Sequence, residues 1–106
     1  MTEAQLQAQV IQTARLLGWI VAHFRPAKTA RGWRTPVAAD GAGFPDLVLV
    51  RERVIFAELK GPRTPIRLEQ HAWLDRLEAA GAETYLWRLP DQLDELERIL
   101  RRRVAA

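Results

Sequence analysis

Two short apolar runs, separated by three charged residues, constrain the fold of this chain more than any other feature. Residues 47–50 (LVLV) and 54–57 (VIFA) are rich in β-branched side chains, which favour β-strands. The polar segment Arg51-Glu52-Arg53 between them is typical of a tight connection between strands. The segment therefore predicts a β-hairpin.

This hairpin would bring two carboxylates together. Side chains alternate between the two faces of a strand, so Asp46 lies directly across from Glu58 if the chain reverses at Glu52. A two-residue loop would shift the pairing by one residue and move Glu58 to the opposite face. The prediction therefore requires an odd loop or a bulge.

Two facing carboxylates, with Cβ atoms roughly 5 Å apart, repel each other, and a divalent cation would remove that repulsion. Hard oxygen ligands suit Mg²⁺ or Mn²⁺ rather than zinc, and the chain has no cysteine. Lys60, on the same face as Glu58, could hold an attacking water or offset charge in the transition state. The same spacing also occurs by chance at the ends of ordinary strands.

Three linked motifs carry a resemblance to a known family. They are GFPDL at residues 43–47, FAELK at residues 56–60 and EQHAWL at residues 69–74. In this order they resemble the small, stand-alone form of the VRR-NUC domain, within the PD-(D/E)XK restriction-endonuclease-like superfamily. The similarity extends from Glu3 to about Leu100, which is nearly the whole chain.

The resemblance implies metal-dependent hydrolysis of phosphodiester bonds. In that family the positions of Asp46, Glu58 and the main-chain carbonyl of Leu59 bind the cation, here expected to be Mg²⁺ or Mn²⁺. The position of Lys60 assists the chemistry. A glutamate on the first helix, which also counts among the expected metal ligands, matches Glu3. 

The sequence around Glu3 also has a purely structural interpretation. Thr2-Glu3-Ala4-Gln5 fits a capping box, so the first helix is expected to begin at once and to run to Leu17. Glu3 then falls in the first turn, where an acid complements the helix dipole without any catalytic role. The resemblance adds the expectation that Glu3 faces the site.

A glutamine after the motif also matches the family, at Gln70. The helix that carries it is predicted to have Thr64 as N-cap, Pro65 as first residue and Gly81 as its stop. Gln70 interrupts the apolar stripe of this helix, and a buried amide needs hydrogen-bond partners. It could cap a neighbouring backbone group, or it could orient the attacking water or a metal-bound ligand.

A basic segment precedes the motif and is a candidate for contact with DNA. The net charge of +3 permits a nucleic-acid partner without requiring one. Residues 25–34 contain no acidic residue. They contain four basic residues, Arg25, Lys28, Arg31 and Arg34, and one aromatic residue, Trp33. The cations could neutralise phosphates and Trp33 could stack on a base or wedge at a junction, with a solvated loop as the alternative. The Gly41-Ala42-Gly43 segment that follows is expected to be flexible.

The remaining elements complete an α/β (α+β) fold. Strands are predicted over residues 19–24 and 83–89, and a last helix from about Asp91. The order αβββαβα predicts a mixed sheet flanked by helices, in a single domain over residues 1–106. The resemblance implies that this is a restriction-endonuclease-like core. No apolar run is long enough to span a membrane and no signal-peptide pattern is present, so a cytoplasmic location is expected. The resemblance to stand-alone VRR-NUC proteins implies a bacterial or phage-infected cell.

The resulting hypothesis is a structure-selective DNA endonuclease. Stand-alone VRR-NUC proteins are similar to homodimeric Holliday-junction resolvases, so a homodimer acting on branched DNA is expected. A monomeric flap or nicking nuclease is an alternative within the same class. A non-catalytic nucleic-acid-binding module is the alternative outside it.

Overall fold

The fold, taken from a computed structural model, is built on a four-stranded mixed sheet. The structure describes residues 1–24, 27–34 and 37–104. The helices and strands in these ranges are α1 (Glu3–Leu16), β1 (Ile20–His23), β2 (Ala27–Thr29), β3 (Gly32–Arg34), β4 (Leu47–Val50), β5 (Val54–Lys60), α2 (Leu68–Ala79), β6 (Glu83–Arg88) and α3 (Leu93–Arg101). None of the helices in this part of the chain has the length and apolar character needed to cross a membrane.

The main sheet has the strand order β1-β4-β5-β6. The β1–β4 and β4–β5 pairs are antiparallel, whereas β6 runs parallel to β5. Parallel neighbours need a crossover connection, and α2 supplies it between β5 and β6. The mixed sheet flanked by helices, predicted from the sequence, is confirmed.

The hydrophobic core covers one face of this sheet. Alternate residues of the central strands point into it, as the period of two requires. Its buried members are Leu47, Leu49, Ile55, Ala57, Leu59 and Trp87 from the sheet, Leu6, Val10 and Ala14 from α1, Leu96 and Leu100 from α3, and Trp19 and Leu89 from the connections. The opposite face of β4 and β5 carries the side chains that form the candidate site.

The start of α1 confirms the predicted capping box. The Thr2 hydroxyl accepts a hydrogen bond from the Gln5 N–H at 3.1 Å, and Gln5 Oε1 accepts one from the Thr2 N–H at 2.8 Å. Two N–H groups that have no partner within the helix are thereby satisfied. The helix ends at Leu16, one residue before the predicted end, with Leu17 as its C-cap.

The turn between β4 and β5 is anchored to the ends of two helices. Arg51 Nη1 donates to the carbonyls of Leu17 and Leu100, at 3.0 Å each. The guanidinium groups of Arg51 and Arg53 lie 4.4 and 5.0 Å from the centroid of Trp19, within cation–π range. The last carbonyls of a helix lack partners inside it, so these arginines satisfy groups that would otherwise need water.

A short β-ribbon forms where the sequence predicted a loop or a basic arm. β2 and β3 pair antiparallel with each other, with Lys28 across from Trp33, and are not part of the main sheet. The predicted order αβββαβα is therefore incomplete by two strands. Each strand has only three residues, without an alternating apolar pattern, so the sequence gives little strand signal there.

The start of α2 also differs from the prediction. Its N-cap is Arg67 rather than Thr64, so Pro65 lies outside the helix. Arg88 Nη1 donates to the carbonyls of Gly61 and Thr64, which holds this segment against β6. These tertiary contacts outweigh the local preference for a helix that begins at Thr64-Pro65. The last helix likewise begins at Leu93, two residues after the predicted start.

Candidate active site

The register of the β4–β5 hairpin places Asp46 across from Glu58. Leu47 pairs with Ala57 and Val50 with Val54, so the reversal is centred on Glu52 and the loop has the odd length that was predicted. Beyond the last pair, Asp46 Oδ2 accepts a hydrogen bond from the backbone N–H of Leu59 at 3.0 Å. The predicted juxtaposition of the two carboxylates is confirmed.

Glu58 is the most unusual side chain of the site because its carboxyl group is buried, with 1% of the residue exposed. Oε1 accepts a hydrogen bond from Gln70 Nε2 at 3.2 Å. Oε2 has no hydrogen-bond partner within the described part of the chain. A buried carboxylate oxygen without a partner is costly, so this atom marks a place where a further group is expected to bind.

The pKa of Glu58 reflects this environment. Burial raises it well above the usual range of a glutamate, and the neighbouring carboxyl group of Asp46 raises it further. The positive charges of Lys60 and Arg67 oppose the rise. The raised pKa favours the protonated form of Glu58, and a divalent cation could replace that proton. The donor set fits Mg²⁺ or Mn²⁺.

Gln70 holds Glu58 in position. Its Oε1 accepts a hydrogen bond from the backbone N–H of Arg67 at 2.9 Å, while its Nε2 donates to Glu58. The amide thus caps the first turn of α2 and fixes the carboxylate at the same time. Both structural uses of Gln70 are satisfied by one orientation, which explains why a polar residue can occupy a buried position of the helix.

All the residues predicted for catalysis and metal binding line one open cavity of about 500 Å³. They are Glu3, Asp46, Glu58, Leu59, Lys60 and Gln70. His23 and Phe24, at the end of β1, and Arg67, before α2, line the same cavity. No sequence pattern distinguishes Arg67, because the prediction of a helix from Thr64 places this residue inside the helix.

Glu3 is less closely joined to the site than the other acids. It is exposed in the first turn of α1. Within residues 1–24, 27–34 and 37–104, no three acidic, histidine or cysteine side chains stand close enough together to hold one metal ion. Asp46 and Glu58 therefore form a pair without Glu3, and a metal-binding role for Glu3 stays a prediction.

The ribbon places part of the predicted DNA-binding segment beside the cavity. Trp33 lines the cavity and is 66% exposed. Arg31 is exposed at the turn of the ribbon, and Lys28 and Arg34 belong to its two strands. Arg25 lies outside the described residues. Contact of these residues with DNA stays a prediction.

The segment before Asp46 packs closely on α2 at Gly43, while the flexibility expected of Gly41-Ala42-Gly43 stays a prediction. Gly43 has a φ of +86°, and a Cβ there would come within 2.5 Å of the Glu69 carbonyl carbon. The Phe44 ring packs edge-to-face on Phe24 and Trp73, with centroids 5.5 and 5.1 Å away. This glycine therefore permits the close approach of the Asp46 segment to α2.

Comparison with known proteins assigns the family. A VRR-NUC domain model matches residues 2–88 of the 106. Neither a curated protein nor a solved structure matches the chain significantly. The match contains both carboxylates, Lys60 and Gln70, and the mixed α/β architecture agrees with it. The chain belongs to the VRR-NUC domain family, a family of nucleases.

Proposed function

We propose that this protein is a metal-dependent endonuclease that hydrolyses phosphodiester bonds of DNA, with Mg²⁺ or Mn²⁺ as its cofactor. The observation that carries the proposal is the buried Oε2 of Glu58, which lacks a donor among the described residues and lies in a carboxylate pair with Asp46. Such a pair is costly without a cation, and its carboxylate oxygens are the kind of ligand that Mg²⁺ prefers.

The roles of the individual residues follow from their positions. Asp46, Glu58 and the carbonyl of Leu59 would hold the cation, which when bound would polarise a phosphoryl oxygen and activate water. Gln70 fixes the Glu58 carboxylate by its hydrogen bond. Lys60 lines the same cavity, where its positive charge would stabilise the negative charge that develops on the reacting phosphate.

The substrate that we propose is branched DNA. Trp33 stands beside the cavity with most of its surface exposed, and an aromatic side chain can stack on a base that is not paired. Such bases are found at junctions and flaps and are rare within a continuous duplex. Base stacking is sequence-tolerant, so selection by DNA structure rather than by sequence is expected.

For the four-way junction we propose a homodimer. Symmetric resolution needs two cuts, and a dimer with twofold symmetry would present two equivalent sites. The resemblance to stand-alone VRR-NUC proteins supports this assembly and the role of Holliday-junction resolvase.

Cleavage of labelled four-way junction, flap and linear duplex DNA tests the proposal. The native chain with Mg²⁺ or Mn²⁺ is expected to cut the junction in pairs, and EDTA should abolish cutting. Asp46→Asn and Lys60→Met should each reduce the rate by at least about 100-fold, by analogy with the loss of one preorganised electrostatic group. Asp75→Asn, at an exposed acid of α2, should leave it unchanged.

The outcomes separate the proposal from its alternatives. Cutting of flaps but not of junctions by a monomer would replace the resolvase role with flap processing. Tight binding of all three DNAs without cutting under any metal condition would contradict the nuclease proposal.

A further inference from the structure

The N-cap of α2 is occupied by a residue poorly suited to that place. Arg67 has the extended backbone of an N-cap, with φ −81° and ψ 158°. Helices favour Ser, Thr, Asp or Asn there because the side-chain oxygen accepts a hydrogen bond from the first turn. A guanidinium has donors only, so Arg67 can make no such bond. Only Gln70, which accepts from the Arg67 N–H, contributes to capping.

The Arg67 side chain points to another purpose because it lines the cavity that contains Asp46, Glu58 and Lys60. It is 63% exposed. Its ion pair with Glu69, Nε to Oε1, is 3.5 Å long, and the Glu69 side chain is also 46% exposed. Pairs of this kind are weak in water, so Arg67 can exchange this partner for a stronger one.

Departures from local structural preference concentrate at functional sites. Within the described part of the site, Lys60 is half-buried next to Glu58, whereas Arg67 stands at the exposed side. Two cations at different depths of one cavity suit a strand with successive phosphates, since the reacting phosphate and its neighbour must be held together. A planar guanidinium binds a phosphate through two parallel hydrogen bonds.

We propose that Arg67 binds the DNA backbone phosphate next to the one that is cleaved, and so fixes the strand in the cavity. This inference rests on the proposed nuclease function and names a phosphate-binding residue for it. Glu69 would release Arg67 when DNA binds. The poor N-cap is then retained for substrate binding rather than for stability.

Replacement of Arg67 by a better cap gives a sharp test. Arg67→Ser supplies the missing hydrogen-bond acceptor, so the melting temperature of this variant should stay equal to that of the native chain or rise. If the role of Arg67 is only structural, the variant should bind DNA as the native chain does. If Arg67 binds a phosphate, the variant should have that same melting temperature but bind DNA about 10-fold more weakly. The magnitude of the slope of log affinity against log salt concentration should also fall by about one, because one phosphate contact is lost. Arg76→Ser, on the same helix outside the cavity, is the matched control and should change the affinity less than twofold.

Binding is measured by fluorescence anisotropy on a labelled four-way junction in EDTA, so no cleavage is needed. Arg67→Gln removes the charge but keeps a long side chain, and it gives the same readout if the serine variant folds poorly. Native affinity and native salt slope in both variants would overturn the inference. Lower affinity in the variants of a chain that never cleaves DNA would uphold the phosphate contact and refute the proposed nuclease function.

Discussion

At the scale of single residues, Glu58 carries the largest electrostatic cost in the site. It is the most deeply buried charged residue of the described part of the chain, and one of its oxygens lacks a donor there. Gln70 donates a hydrogen bond to Oε1 but, being uncharged, does not neutralise a carboxylate. The raised pKa of Glu58 therefore favours its uncharged form when no cation is bound.

This cost predicts how stability depends on pH in the metal-free protein. The pKa of Glu58 is raised on folding, so the folded state binds more protons than the unfolded state. Stability is then fully present below the ordinary pKa of 4.5 and is lost as pH rises toward the folded value. Within that interval each rise of one pH unit lowers the free energy of unfolding by about 1.4 kcal/mol. In a small domain each kcal/mol corresponds to a shift of roughly 4–8 °C in the melting temperature.

Glu58→Gln provides the control, because its amide can accept from Gln70 and donate to Asp46 without a charge. Thermal unfolding in EDTA should show this variant more stable than the native chain at pH 8, with a much smaller difference at pH 5. A difference that is the same at both values would show that burial of the charge is not what destabilises the native chain.

At the scale of elements, the site depends on the approach of the Asp46 segment to α2. Gly43 makes this approach possible, since any Cβ there would lie 2.5 Å from a backbone carbon of Glu69. Phe44, packed against Trp73 of α2 and against Phe24, also holds this segment in place. A shift here would move Asp46 away from Glu58.

A pair of glycine substitutions isolates this contact. Gly43 and Gly81 both have positive φ, +86° and +91°, but a Cβ at Gly81 would meet no atom within 4 Å. Both alanine variants should lose about 1–2 kcal/mol from backbone strain. Gly43→Ala should lose about 1–3 kcal/mol more because it overpacks the contact with α2. Urea unfolding measures both, and equal losses would contradict the packing role of Gly43.

The elements also show which features a sequence can predict. The hairpin register and the α1 capping box are local, so spacing within a few residues determines them. The predicted start of α2 was wrong because Arg88, 21 residues after Arg67 in the chain, donates a hydrogen bond to the Thr64 carbonyl in the fold. Arg67 was missed for the same reason, since only the corrected helix start places it at the cavity.

At the scale of the whole molecule, the site is carried by the face of β4 and β5 opposite the core. The buried side chains of α1, α3 and the sheet support it from behind. The turn at Arg51–Arg53 ties the far end of the hairpin to the ends of both helices. The protein thus presents one rigid carboxylate pair per chain, and two cuts in one junction would require two chains.

Mixing of subunits tests this requirement. Native chains mixed with an excess of Asp46→Asn chains should convert paired cuts in a four-way junction into single nicks, because a mixed dimer has one working site. Light scattering should give about twice the chain mass of 12.1 kDa. The dimer would be contradicted if the yield of paired cuts simply followed the amount of native chain and light scattering gave the mass of a monomer.

The central claim is that Asp46 and Glu58 form a divalent-cation site, and calorimetric titration with Mn²⁺ at pH 8 tests it most directly. The native chain should bind the ion and release protons on binding, with affinity that rises with pH. Glu58→Gln and Asp46→Asn should lose this binding, whereas Lys60→Met should keep it. Equal Mn²⁺ binding by the native chain and both carboxylate variants, or none by the native chain, would contradict the account.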